Sequence, residues 1–304
     1  MTPLHCSVVL ACTLALTVSG CSPESGSTAQ GDGPSVEASA PSPDQGSGEL
    51  RTPVSGATLA GHIHNLAYDG DVLLIGTHEG LWSQQPGSLP EQRTQDPFDV
   101  MGLTLTDRQW FASGHPGEGM EAPADLGLMA SSDEGRTWKP VSLSGEVDFH
   151  RLSANETAIV GLSAHDGRLL RSDDAGLSWT DLGAPGIFDL ALSPLDSATV
   201  VATTENGPVR SSDSGVSFQP LEGAPLLAFL AWSGSTLYGV DVEGGLHQST
   251  DEGTTWALRG SLPGQVTALA ASGAMISALV GDSIMESFDG GATFAPRIIG
   301  IEPH

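Results

Sequence analysis

The octapeptide SSDEGRTW at residues 131–138 returns as SDDAGLSW at 172–179, SSDSGVSF at 211–218, STDEGTTW at 249–256 and SFDGGATF at 287–294. The copies follow one another at steps of roughly 40 residues, the interval of architectures in which one supersecondary unit cannot bury its apolar face alone. Each recurring position has a physical reason. The Asp carboxylate accepts hydrogen bonds from backbone amides of its own turn. The Gly allows positive φ. The Ser or Thr hydroxyl bonds back across the turn, and the terminal Trp or Phe supplies an apolar wedge between neighbouring sheets.

The pattern S-x-D-x-G-x-[ST]-[WF] resembles the Asp-box, also called the bacterial neuraminidase repeat. In the families that carry it, the motif sits on the hairpin between the third and fourth strands of a propeller blade, on the rim and away from the functional site. The resemblance therefore implies a structural task for these five Asp residues. Four short strand segments accompany each copy; the third unit reads VDFHRLSA, TAIVGLSA, RLLRSD and SWTDLG. Six such units begin near His62, Val100, Glu146, Gly186, Pro225 and Gln265, the first of them without the octapeptide. The expected fold is all-β, a six-bladed β-propeller with Asp-box hairpins over residues 56–304. No spare strand is evident to complete the last blade from the N-terminal side, so the mode of ring closure stays open.

Composition agrees with this reading. The 304 residues include 39 Gly and 20 Pro, which suits many short strands and tight turns and argues against helices. The 37 acidic residues against 11 Lys and Arg give a net charge of −26. That balance argues against nucleic acid and anionic membrane surfaces as partners and favours cations, metal ions included. All three Cys precede residue 22, so the rest of the chain has no thiolate nucleophile and no Cys-ligated zinc.

Residues 1–21 carry an apolar run, Ser7 to Val18, that is short for a membrane span and ends in small residues, as a signal peptide does. The ending Val18-Ser19-Gly20-Cys21 resembles the bacterial lipobox, which implies removal of residues 1–20 and a lipid on Cys21. Residues 21–55 follow as an acidic Ser, Gly and Pro linker, expected to be disordered, with Glu24, Asp32, Glu37, Asp44 and Glu49 against Arg51. The expected location is the bacterial cell envelope, with the membrane touched only through the lipid and the chain acting as a monomer.

The first strand of a propeller blade lines the central channel, and its start lies beside the end of the second strand. That places five histidines at one mouth of the channel: His62 and His64 at the first strand of blade one, His150 at that of blade three, and His78 and His115 at the ends of the second strands of blades one and two. The alignment of HNLA with HRLS puts His64 and His150 at one strand position, with Asp189 taken as the residue of blade four there, and Arg151 facing away from His150. Glu79, Glu118, Glu146, Asp148, Met101 and Met120 stand near them in this reading. Imidazole with carboxylate suits zinc, and imidazole with thioether suits copper.

Over most of 56–304 the chain is similar to bacterial Asp-box propeller lipoproteins of the glycosylhydrolase-like, exo-α-sialidase-like group. The similarity rests on His62-Ile63-His64-Asn65-Leu66, Thr77-His78-Glu79-Gly80-Leu81, Ser113-Gly114-His115-Pro116 and the stretch Gly145 to His150. Sialidases of this fold clamp a sugar carboxylate with three Arg and use a Tyr–Glu nucleophile. Here Tyr68 and Tyr238 do not open an inner strand, and Arg151 is the only Arg early in one, which argues against sialidase activity. Three readings remain: a metal-binding protein using the five histidines; a glycoside hydrolase using Asp148 and Asp189, with Glu79 or Glu146; and a scaffold for an envelope protein, as related propellers serve, with no small-molecule site.

Overall fold

A computed structural model describes residues 52–59 and 62–302. The expected signal peptide, Cys21 and most of the linker lie outside the described residues. Among the described residues the strands form six sheets, each built on four antiparallel strands in sequence order and one of them extended by a fifth, the arrangement of a six-bladed β-propeller. The inner strands are Ile63–Asp69, Asp99–Leu105, Phe149–Ala154, Ile187–Leu192, Leu227–Ser233 and Val266–Ser272. All six line one central channel of about 300 Å³.

The alternation along each strand explains the packing. Strands sit between two neighbouring sheets, so their side chains point into wedges on both sides. The core accordingly divides into six apolar clusters, each shared by two adjacent blades. Leu74, Leu81, Phe98 and Val100 join blades one and two. Phe111, Leu128, Phe149 and Ile159 join blades two and three.

The octapeptides supply the rim contacts. In the copy at 172–179, Ser172 Oγ donates to Asp174 Oδ1 at 2.8 Å and accepts from Gly176 N at 2.8 Å. Ser178 donates to Asp174 through its amide at 2.9 Å and through its hydroxyl at 2.5 Å. The same bonds recur at Asp133, Asp213, Asp251 and Asp289. Hydrogen bonds from Ser178 hold the Asp174 carboxyl at a pKa of about 2. Gly176 is required twice over: its φ is +86°, and a Cβ there would overlap the Leu128 side chain of the preceding blade.

Ring closure uses the same wedge principle. Leu59, Ile63, Leu66, Leu73 and Ile75 pack against Ala268, Ala270, Leu279, Ile284 and Ile298, joining blade one to blade six. A buried polar cluster crosses the same seam. Arg297 pairs with Glu286, donates from Nε to Gln84 Oε1 at 2.5 Å and from Nη2 to the Gln84 carbonyl at 2.9 Å. Tyr68 Oη bonds Ser277 Oγ at 2.7 Å and donates to Glu286 at 3.1 Å. Burial, with the Glu286 charge beside it, raises the Tyr68 phenol pKa. Val54 and Ser55, read from the sequence as linker, form a short fifth strand running parallel to Ile298 and Ile299 on the outer strand of blade six.

Candidate metal centre

All six inner strands carry the same irregularity near their start. The ladder slips by one residue between Ile63 and Asn65, Val100 and Gly102, Phe149 and Arg151, Ile187 and Asp189, Leu227 and Phe229, and Val266 and Ala268. A bulge breaks the two-residue period and re-aims side chains. Two consecutive residues, His150 and Arg151, therefore both line the channel, where strict alternation had Arg151 facing away. The bulged residues are His64, Met101, His150 and Phe188 in the first four blades. Phe188, not Asp189, is thus the counterpart of His64 and His150. Asp189 is the counterpart of Asn65 and Arg151.

Two positions beside the bulge build the site. Before the first apolar ladder residue stand His62, Asp99 and Asp148 in blades one, two and three. Opposite them, after the second strand, stand His78, His115 and Ala164: the His78 amide donates to the His62 carbonyl at 2.9 Å, His115 pairs with Asp99, and the Ala164 amide donates to the Asp148 carbonyl at 2.9 Å.

Asp99 is the hub. His64 Nε2 lies 3.1 Å from its Oδ1, and His78 Nδ1 lies 3.0 Å from its Oδ2. His115 Nδ1 lies 3.2 Å from the same Oδ2. On its other side, His115 Nε2 lies 3.4 Å from Asp148 Oδ2, which also meets His150 Nε2 at 2.6 Å. The row runs from blade one to blade three as imidazole, carboxylate, imidazole, carboxylate, imidazole. His62 is exposed and stands 5.2 Å from His64, ring centre to ring centre. Burial would raise the Asp99 carboxyl, but the imidazoles of His64, His115 and His78 outweigh it and hold its pKa below the ordinary value.

Several polar atoms here are buried. Asp99 Oδ1 and His64 Nε2 have only each other, 3.1 Å apart, as an imidazole–carboxylate pair of poor hydrogen-bond geometry. Asp148 Oδ1 is buried and unbonded, in a residue only 1% exposed. Such atoms are costly to bury unless something satisfies them. His64, His78 and Asp99 bring one donor atom each within 4.8 Å of one another and could hold a metal ion. Donors about 2.0–2.1 Å from one tetrahedral ion sit roughly 3.3 Å apart. Asp99 meets His64 through Oδ1 and His78 and His115 through Oδ2 at 3.0 to 3.2 Å, the range of direct imidazole–carboxylate pairs and a little inside that spacing.

Other residues read from the sequence lie elsewhere. Asp189 is 6% exposed; its Oδ1 is 3.0 Å from Arg151 Nε and its Oδ2 accepts the Leu230 amide at 2.7 Å. It ties blades three, four and five together. Burial pushes its carboxyl up to a pKa of about 6 against the Arg151 charge. Glu79 and Glu146 are exposed, and Glu118 and Met120 belong to a separate groove on blade two. Asp99 is not among the residues the sequence pattern singles out. Its signal was present: Phe98-Asp99-Val100 and Val147-Asp148-Phe149 repeat one apolar–Asp–apolar pattern at equivalent places.

No family model matches the chain, and none of the curated proteins does. Solved structures are similar in fold. A chain of a nidogen–laminin complex aligns at 12% identity over 71% of this chain and 89% of its own, with a TM-score of 0.55. A GH74 xyloglucanase from Xanthomonas campestris aligns at 17% identity over 80% of this chain and 46% of its own, with a TM-score of 0.53. The extracellular domain of a putative one-component system from B. thetaiotaomicron aligns at 12% identity over 82% and 34%, with a TM-score of 0.54. The shared feature is the propeller fold alone. The chain spans about half of the second protein and a third of the third.

Proposed function

We propose that this protein is an exported, lipid-anchored Asp-box propeller that binds a transition-metal ion at one mouth of its channel. His64, His78 and Asp99 are the ligands in this reading. The lipobox-like Val18 to Cys21 and the acidic linker behind it support the anchoring part of this reading. The observation that carries the metal part is the convergence of His64, His78 and Asp99, one donor atom each within 4.8 Å of the others, with His64 Nε2 and Asp99 Oδ1 buried 3.1 Å apart. Nitrogen and oxygen donors without sulfur suit zinc or divalent copper.

The test is zinc and copper binding by protein purified without a His-tag, read by elemental analysis and titration calorimetry. One ion per chain is expected. His64→Ala and Asp99→Asn each abolish it, whereas His165→Ala retains it, because His165 is spent on Asp125 in another hairpin. Equal metal content in all four proteins, or none in any after loading, would refute the assignment.

A further inference from the structure

Blade two differs from the other five by one insertion. Residues 116–127 join its second and third strands, where the same connection is 78–79 in blade one, 205–206 in blade four and 281–282 in blade six. The insertion rests tightly on the start of the inner strand, since a Cβ on Gly117 would overlap the Pro97 carbonyl. Between this insertion and the octapeptide hairpin lies a groove of about 590 Å³. Its apolar wall is Phe98, Met120, Met129 and Trp138; Phe98 and Trp138 meet edge-to-face at 5.8 Å. The indole Nε1 of Trp138 donates to the Gly135 carbonyl at 3.1 Å, so the ring needs no polar partner in the groove. The charged lining is Asp96, Glu118 and Glu121, all exposed, and no Lys, Arg or His lines it.

From this combination we infer that the blade-two groove binds a small organic cation, an ammonium joined to an aromatic or aliphatic body. Glu118 and Glu121 neutralise the charge, while Trp138 and Met120 take the apolar part and offer a π face and a polarisable thioether to the cation. Anionic ligands are repelled, and so is the chain's own linker, which carries Glu24, Asp32, Glu37, Asp44 and Glu49. The groove is independent of the imidazole–carboxylate row: Glu118 and Met120, which the sequence groups with the histidines, face a cavity that none of those histidines lines.

The experiment compares phenethylammonium, neutral phenethyl alcohol and anionic phenylacetate by calorimetry and ligand-observed NMR on the full chain. The ammonium is expected to bind at least tenfold tighter than the alcohol, with no binding of phenylacetate. Glu118→Gln with Glu121→Gln removes that tenfold preference. Trp138→Phe weakens the ammonium several-fold without unfolding the blade, because Phe218 and Phe294 fill the same motif position in blades four and six. His64→Ala leaves ammonium binding unchanged. Equal affinity for all three probes, no ammonium binding, or a double variant that keeps the preference would overturn the inference.

Discussion

Glu286→Gln tests how the ring is held shut. Glu286 and Arg297 are each 3% exposed at the side chain, on adjacent strands of blade six, and reach across the seam to Tyr68 and Gln84 of blade one. The substitution keeps the shape and removes the charge. It leaves the guanidinium buried, still bonded to Gln84 but without a counter-ion. Breaking a buried pair from one side costs about 3–5 kcal/mol, because the remaining charge stays desolvated and uncompensated. In a domain of this size each kcal/mol lowers the melting temperature by about 2–4 °C, so the expected fall is roughly 6–20 °C. Thermal melts and urea titrations at neutral pH read it. Arg297→Met added to Glu286→Gln removes both charges, and is expected to recover more than half of the loss. A single variant less than about 1 kcal/mol below wild type would refute the desolvation argument, since that is the scale of a surface pair. So would a double variant no more stable than the single one.

Two further outcomes follow from local geometry. The Asp189 carboxyl has a folded pKa of about 6 against an ordinary value of 3.8, so the folded state binds the extra proton between those pH values and stability falls as pH rises through them. The full difference is about 3 kcal/mol, reached above pH 6. Denaturation curves of Asp189→Asn and wild type should therefore diverge in favour of the variant between pH 4 and 6.5; divergence in the opposite sense would show that the Arg151 charge dominates burial. Gly176→Ala places a methyl group against Leu128 at a φ of +86°. It should cost about 2–4 kcal/mol from strain and overpacking, read by urea denaturation, and a loss under about 0.5 kcal/mol would contradict the rim packing.

The fold was legible because its signal is local and repeated. Each octapeptide contains its own hydrogen-bond partners: Ser172, Asp174, Gly176 and Ser178 satisfy one another within a single turn. Such a unit needs no distant residue to explain it, and five copies at one period identify a blade. Closure was not legible for the opposite reason. Gln84 and Arg297 are 213 positions apart, and Tyr68 and Ser277 are 209 apart. No spacing rule connects them. The parallel pairing of Val54 with Ile298 hides in a Ser, Pro and Gly context that reads as linker.

The candidate site falls between these cases. Its histidines were visible because fold geometry sends the starts of first strands and the ends of second strands to one mouth. Asp99 is hidden because the apolar pattern of its blade starts at Val100, one residue later, and because a period of two makes every inner strand regular. The bulge ends that regularity. It brings His150 and Arg151 to the channel together and moves Asp189 into the ladder, under Arg151. The bulge recurs in all six blades, so it is a property of the architecture, while imidazoles at the bulged position occur in blades one and three only. The fold supplies six equivalent places around one mouth. The sequence fills two of them with imidazole, and sets Asp99 and Asp148, each one residue before the first apolar residue of its inner strand, as the carboxylates that His115 spans.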